Sequence, residues 1–186
     1  MTRTCRVLST RTVNGLAAFQ TLVYPFRTMV DAERLAIRRA RPGDSAAVRK
    51  LVTQLGYAPD DRAYDETFTQ VARHPEAAVF VAQLGPRVVG YLAMTHRPQI
   101  RIGGRVAAID ELAVGGDDRA NGVGTKLLEA AVAHARSLGC ARIEVLCSRA
   151  RESHRRGFYG ARGMAEIETA VYRLDLSAAR SAAGSR

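Results

Sequence analysis

The chain has 186 residues, 47% of them apolar, and 28 basic against 18 acidic side chains give it a net charge of +10. That length suits one domain with a sizeable core, and no run approaches the roughly 18 apolar residues of a membrane helix. Arg3, Arg6, Arg11 and Arg27 near the start and Arg180 and Arg186 near the end lie in acid-free stretches. Without those six the balance is 22 basic to 18 acidic, and no basic helix or aromatic–basic interleaving accompanies the excess, which argues against a nucleic-acid partner.

Residues 1–33 read as an N-terminal extension outside the core. They mix Arg, Thr and Ser with short apolar clusters, keep no period, and hold no acid until Asp31. The composition fits an organellar transit peptide, a loosely packed extension, or a translation start placed too early; Met29-Val30-Asp31 directly before the first folded element favours the last. The three cysteines, Cys5, Cys140 and Cys147, have no metal-type spacing and cannot all pair, so reduced thiols in a cytoplasmic protein are expected, with Cys140 and Cys147 in or beside the core.

The domain proper is expected over 34–176. Leu35 to Ala40 alternates as a strand, and Asp44 or Ser45 then caps a helix carrying Val48, Leu51, Val52 and Leu55 at i, i+3, i+4 and i+7, stopped by Gly56. A loop with Tyr57, Pro59, Asp60 and Asp61 leads to a second helix with Tyr64, Phe68 and Val71 on one face. Strands at Ala78–Gln83 and Arg87 to about Arg97 follow. Gly103-Gly104 fits a tight primed turn between Ile100–Ile102 and Arg105–Ala107. The strand from there to Val114 runs into Gly115-Gly116 and a long amphipathic helix, with Leu127, Leu128, Ala131, Val132, Ala135 and Leu138 near a 3.6 period and Gly139 as its stop.

The N-terminus of that helix is an expected anion site. Gly122, Val123, Gly124 and Thr125 present N–H groups with no intrahelical partner at the positive end of the dipole, and Arg119 adds a forked cation. A dinucleotide fingerprint would need a third glycine where Leu127 stands, and a P-loop would need Gly-Lys-Ser/Thr where the chain has Gly124-Thr125-Lys126. What remains is Arg-x-x-Gly-x-Gly, Arg119 to Gly124, after a Leu-x-Val strand end. Ala141–Cys147 then reads as a buried strand, parallel to the one before the helix. Further on, Phe158-Tyr159 precedes Gly163 by the spacing Phe-Tyr-x-x-x-Gly; strands near Ala165–Thr169 and Val171–Leu176 are expected to finish the sheet, and 177–186 is a small-residue tail expected to be disordered.

These two motifs and the element order resemble the GCN5-related N-acetyltransferase superfamily over about residues 34–176, although Met164 stands where an aromatic is usual and Gly115-Gly116 where a proline is common. The resemblance implies an α/β (α+β) fold: a mixed, mostly antiparallel, twisted sheet of six to seven strands with about four helices, split between two central parallel strands. It implies acetyl-CoA as co-substrate, with its pyrophosphate on the loop Arg119, Ala120, Asn121, Gly122, Val123, Gly124, Thr125 and its pantetheine arm along the backbone of Leu112, Ala113 and Val114.

In the same terms Tyr159 is the candidate acid for the departing thiolate. A base is sought among Asp110, Glu111 and Glu144; Glu144 is favoured over Glu111, because Ile143-Glu144-Val145 followed by Ser148 is similar to the Leu-Glu-Val…Ser of ribosomal-protein alanine acetyltransferases. His134 and His154 are expected at the surface, and no metal or membrane is implied. The expected function is direct acetyl transfer from acetyl-CoA to an amine of a small molecule or peptide. The alternative is a catalytically silent acyl-CoA-binding regulatory module. Acidic residues Asp60, Asp61, Asp65 and Glu66 border the acceptor side and suit a cationic acceptor; a homodimer is left open.

Overall fold

The alternating apolar segments in the middle of the chain assemble into one sheet. In the computed structural model, which describes residues 35–57, 60–174 and 176, β1 (Leu35–Arg39), β2 (Ala77–Leu84), β3 (Arg87–Gln99), β4 (Gly104–Val114) and β5 (Cys140–Val145) lie side by side in chain order. The pairings up to β4 are antiparallel and β4–β5 is parallel. A parallel pair cannot be joined by a hairpin, and the crossover here is α3 (Val123–Ser137).

Each face of the sheet carries its own helical layer. Phe80, Leu92, Met94 and Ile109 pack with Leu127, Leu128 and Ala131 of α3. On the other face Val79, Val81, Tyr91, Ala93 and Ala113 pack with Val48, Leu51 and Val52 of α1 (Ser45–Gln54) and Phe68 of α2 (Asp61–Arg73). Asp60 caps α2 by accepting from the Ala63 N–H at 3.0 Å. Asp44, at the N-cap position of α1, makes no such side-chain bond. Its carboxylate takes both Nη atoms of Arg38, at 2.7 and 2.8 Å, and the N–H of Arg41 at 2.7 Å, which ties β1 to the start of α1.

Several expectations are corrected. The β3–β4 connection is not a two-residue primed turn: β3 runs on to Gln99, a 3-10 turn covers Ile100–Ile102, and Gly103 takes φ 62° to start β4 at Gly104. The closing helix is short, α4 (Glu152–Arg155), because Gly157 turns left-handed at φ 61° and puts Phe158-Tyr159 on a turn ahead of a 3-10 segment, Gly160–Arg162. No strand forms over 165–174 among the described residues, so the sheet there has five strands where six to seven were expected. At the start of that segment Glu166 accepts from Arg149 at 2.8 and 3.0 Å and stands 3.4 Å from His154 Nε2, contacts with the loop after β5 and with α4 rather than with the sheet. Neither histidine is simply at the surface: His154 is half-buried, and His134 packs edge-on against Phe80 at 5.6 Å, where burial holds its pKa below the usual value. The expected extension 1–33 and tail 177–186 lie outside the described residues.

Candidate active site

β4 and β5 part company halfway along β4. Their ladder ends at Ile109 opposite Val145, while β4 continues to Val114 beside β3. The parting coincides with a β-bulge: Ile109 pairs with Met94 and Glu111 with Ala93, so Asp110 has no partner on β3. In a regular strand Ile109 and Leu112 would face opposite sides, yet both pack in the α3 layer. The extra residue therefore turns Asp110 and Glu111 together toward the α1/α2 face. Gly115 donates its N–H to Val89 O at 2.9 Å. By alternation Ala113 also directs its backbone to β3, whereas Leu112 and Val114 direct theirs into the split. The Val114 carbonyl there accepts from Arg119 Nε at 3.2 Å.

The N-terminus of α3 opens beside that strand end. Gly122 enters the helix at φ 80° with no side-chain cap, and Ala120 just before it holds φ 62°, a strained conformation for a residue with a Cβ. The first helical bond runs from Lys126 N–H to Gly122 O, so the N–H groups of Val123, Gly124 and Thr125 have no partner within the helix. A Cβ on Gly124 would stand 3.3 Å from the ring of Phe158, which is how closely the turn after α4 seats on the helix start. That turn also delivers Arg162, whose Nε and Nη2 donate to Thr125 Oγ1 at 3.0 and 2.6 Å and whose guanidinium lies 4.0 Å from the Phe158 ring centroid. Arg119 approaches Glu152 only at 3.8 Å. Two guanidiniums thus stand at the positive end of a helix. Arg162 is a neighbour of the helix start that sequence reasoning missed: its only signal was its place just before Gly163, and nothing in the spacing pointed to Thr125.

Phe158 and Tyr159 meet edge-to-face at 5.0 Å. Burial, with help from the neighbouring Cys147, pushes the Tyr159 phenol up to about 12 while Arg151 pulls it down. Tyr159 therefore keeps its proton at neutral pH beside the chain leaving β5. Arg151 donates to the Tyr57 hydroxyl at 3.2 Å, linking the loop after β5 to the loop after α1.

The three carboxylates sort differently. Glu111 accepts from the Tyr91 hydroxyl at 2.6 Å. Asp110 is held above the usual carboxylate range by burial, with a hydrogen bond from Thr95 pulling it down and the charge of Glu111 pushing it up. Glu144 lies opposite Ala108, below the point where the strands part, and Arg142 Nε stands 2.7 Å from its Oε1, close enough for Coulombic pairing though off the line of a hydrogen bond. Asp110 and Glu111 thus follow the end of the β4–β5 ladder, and Glu144 lies one residue before it, beside Arg142.

A mixed sheet whose parallel pair parts beside an uncapped, glycine-rich helix start frames the site. The model of the Acetyltransferase (GNAT) family matches residues 46–164, and the chain belongs to that family. Among solved structures it is similar to a transcriptional regulator from Bacillus halodurans C-125 (21% identity, 76% of this chain and 99% of that one, TM-score 0.70). It is likewise similar to glucosamine-6-phosphate N-acetyltransferase from Arabidopsis thaliana (20%, 75% and 97%, 0.66) and to an aminoglycoside acetyltransferase from an uncultured soil metagenomic sample, solved with trehalose (21%, 78% and 98%, 0.65). At such identities the likeness shows the fold. No curated protein matches the sequence. Among the described residues no helix is long and apolar enough to cross a membrane.

Proposed function

We propose that the chain is an acetyl-CoA-dependent N-acetyltransferase that moves the acetyl group directly to an amine. The observation that carries this reading is the parting of β4 from β5 around the Asp110 bulge, which bares the backbone of Leu112 and Val114 and turns two carboxylates beside it toward the α1/α2 face. Acetyl-CoA fits the residues present. Its pyrophosphate would take the free N–H groups of Val123, Gly124 and Thr125 with Arg119 and Arg162 alongside, and its pantetheine amides would pair with Leu112 and Val114. An N–H donor in the split stabilises negative charge on the thioester oxygen as the amine attacks, the largest contribution expected in acyl transfer. The C–S bond then breaks, and Tyr159 gives its proton to the departing thiolate.

The proton lost by the attacking amine goes to Glu111. We place the base there in preference to Glu144 because Glu111 lies beyond the end of the β4–β5 ladder and lacks a cationic partner among the described residues, whereas Glu144 is engaged by Arg142. The likeness to a transcriptional regulator keeps a second reading in view, a regulatory acyl-CoA-binding module; a protonated tyrosine beside the end of β5 favours transfer. The test is incubation with acetyl-CoA and a panel of primary amines, with products identified by the added mass of one acetyl group. N-acetylated product supports the enzyme, and binding without product supports the module.

A further inference from the structure

Tyr91 belongs to β3, pairs with Ala113 of β4, and lies under α1 and α2 with 1% of its surface exposed. A phenylalanine would fill the same apolar space. The hydroxyl is a buried polar group, and leaving such a group unsatisfied is costly. It donates to the Glu111 carboxylate at 2.6 Å. Burial, the charge of Glu111 and this hydrogen bond all oppose ionisation of the phenol, so Tyr91 stays a donor and Glu111 is the acceptor. The bond engages Oε2 and leaves Oε1 for another proton.

The backbone of Glu111 is held by its pairing with Ala93, just beyond the bulged Asp110, but the residue is exposed, so its carboxylate is fixed only by a side-chain partner. The groups facing it come from each packed element: Tyr91 from β3, Tyr64 from α2, whose phenol is pushed up to about 12 by burial and then by the charge of Glu111, and Asp110 from β4. Of these only Tyr91 bonds to it.

We propose that Tyr91 is a positioning residue for acetyl transfer: its buried hydroxyl pins one oxygen of Glu111 so that the other faces the amine in the split. This rests on the reading of Glu111 as base. The phenol touches neither substrate, so its effect on the reaction passes through Glu111 alone. Tyr91→Phe should then cost activity only while Glu111 is present.

The experiment is a double-mutant cycle on the full chain with Tyr91→Phe, Glu111→Gln and the double variant. CoA release is followed at saturating acetyl-CoA with spermidine, kanamycin and an alanine-initiated peptide as acceptors. Expected are a loss in kcat of at least 10²-fold for Glu111→Gln and of 10- to 30-fold for Tyr91→Phe, with acceptor KM and acetyl-CoA affinity within twofold of wild type. The double variant should be no slower than Glu111→Gln. Losses that multiply, or a Tyr91→Phe effect seen in KM and acetyl-CoA affinity, would overturn positioning while leaving Glu111 as base. Full turnover by Glu111→Gln would overturn the base reading itself, and a wild type that acetylates none of the three would remove the reaction Tyr91 is proposed to serve. Proton NMR supplies a readout free of turnover: a slowly exchanging downfield hydroxyl signal, present in wild type and lost in both Tyr91→Phe and Glu111→Ala. Its absence from wild type would overturn the pinned geometry.

Discussion

The guanidinium of Arg162 rests on the hydroxyl of Thr125, at 3.0 Å from Nε and 2.6 Å from Nη2, over the uncapped start of α3. A cation at the positive end of a helix is unfavourable on its own, and an anion shared between the two reverses the sign. Arg162→Glu should therefore weaken acetyl-CoA binding at least tenfold, about 1.4 kcal/mol, by calorimetry. Arg162→Lys should lose less, keeping the charge without the fork. An unchanged Kd in Arg162→Glu would remove this residue from the phosphate site.

Tyr159 holds its proton to about pH 12. If that proton goes to the thiolate, Tyr159→Phe lowers kcat roughly 10²-fold and leaves acetyl-CoA affinity nearly intact, since the ring still packs on Phe158. A variant with wild-type kcat would mean that solvent protonates the leaving group.

Gly90 lies opposite Val114, the last residue of β4. A Cβ there would stand 3.0 Å from the Ala113 carbonyl oxygen and 3.2 Å from both Leu127 Cδ1 and Val123 Cγ1, and the backbone oxygen cannot step aside. Gly90→Ala should destabilise by roughly 1–3 kcal/mol, lowering the melting temperature by about 2–4 °C per kcal/mol. Because the strain falls on the strand end that lines the split, acetyl-CoA affinity should fall with it. A variant melting like wild type would contradict this packing.

Asp44 is held below the ordinary carboxylate range first by the Arg38 guanidinium, against the opposing effect of burial. A folded-state pKa below the unfolded one means that the pair stabilises above the unfolded value of about 3.9, and that this contribution is lost as pH falls through the folded value. Asp44→Asn should cost roughly 2–4 kcal/mol at pH 7, the order expected when one partner of a largely buried pair is removed. The gap from wild type should narrow below about pH 4. Denaturant melts at pH 7 and pH 3 check this, and an equal gap at both would contradict it.

Much of this architecture was legible in the residues because local chemistry dictates it. The period of Leu127, Leu128 and Ala131 fixes α3, and Gly122 before it and Gly124 in its first turn mark an uncapped start. The bulge was not legible. Nothing in Ile-Asp-Glu-Leu tells whether β3 skips Asp110, because the skip is a property of the pairing, and it decides which carboxylates share a face. Tyr91 reads as one more core aromatic until its partner is seen, and Arg162 as one arginine among many. The mixed apolar and polar segment from Ile167 to Leu176 has strand propensity, but propensity makes a strand only where a sheet edge receives it, and the residues alone do not tell whether one does.

The central claim is transfer itself, and the most direct measurement follows free CoA thiol and N-acetylated product together after mixing the full chain, acetyl-CoA and the amine panel. Direct transfer predicts the two appearing in equal amounts for at least one amine, with neither appearing faster than background in Tyr159→Phe/Glu111→Gln. Tight acetyl-CoA binding by calorimetry, with neither thiol nor product released for any amine, would contradict the enzyme and leave a binding module.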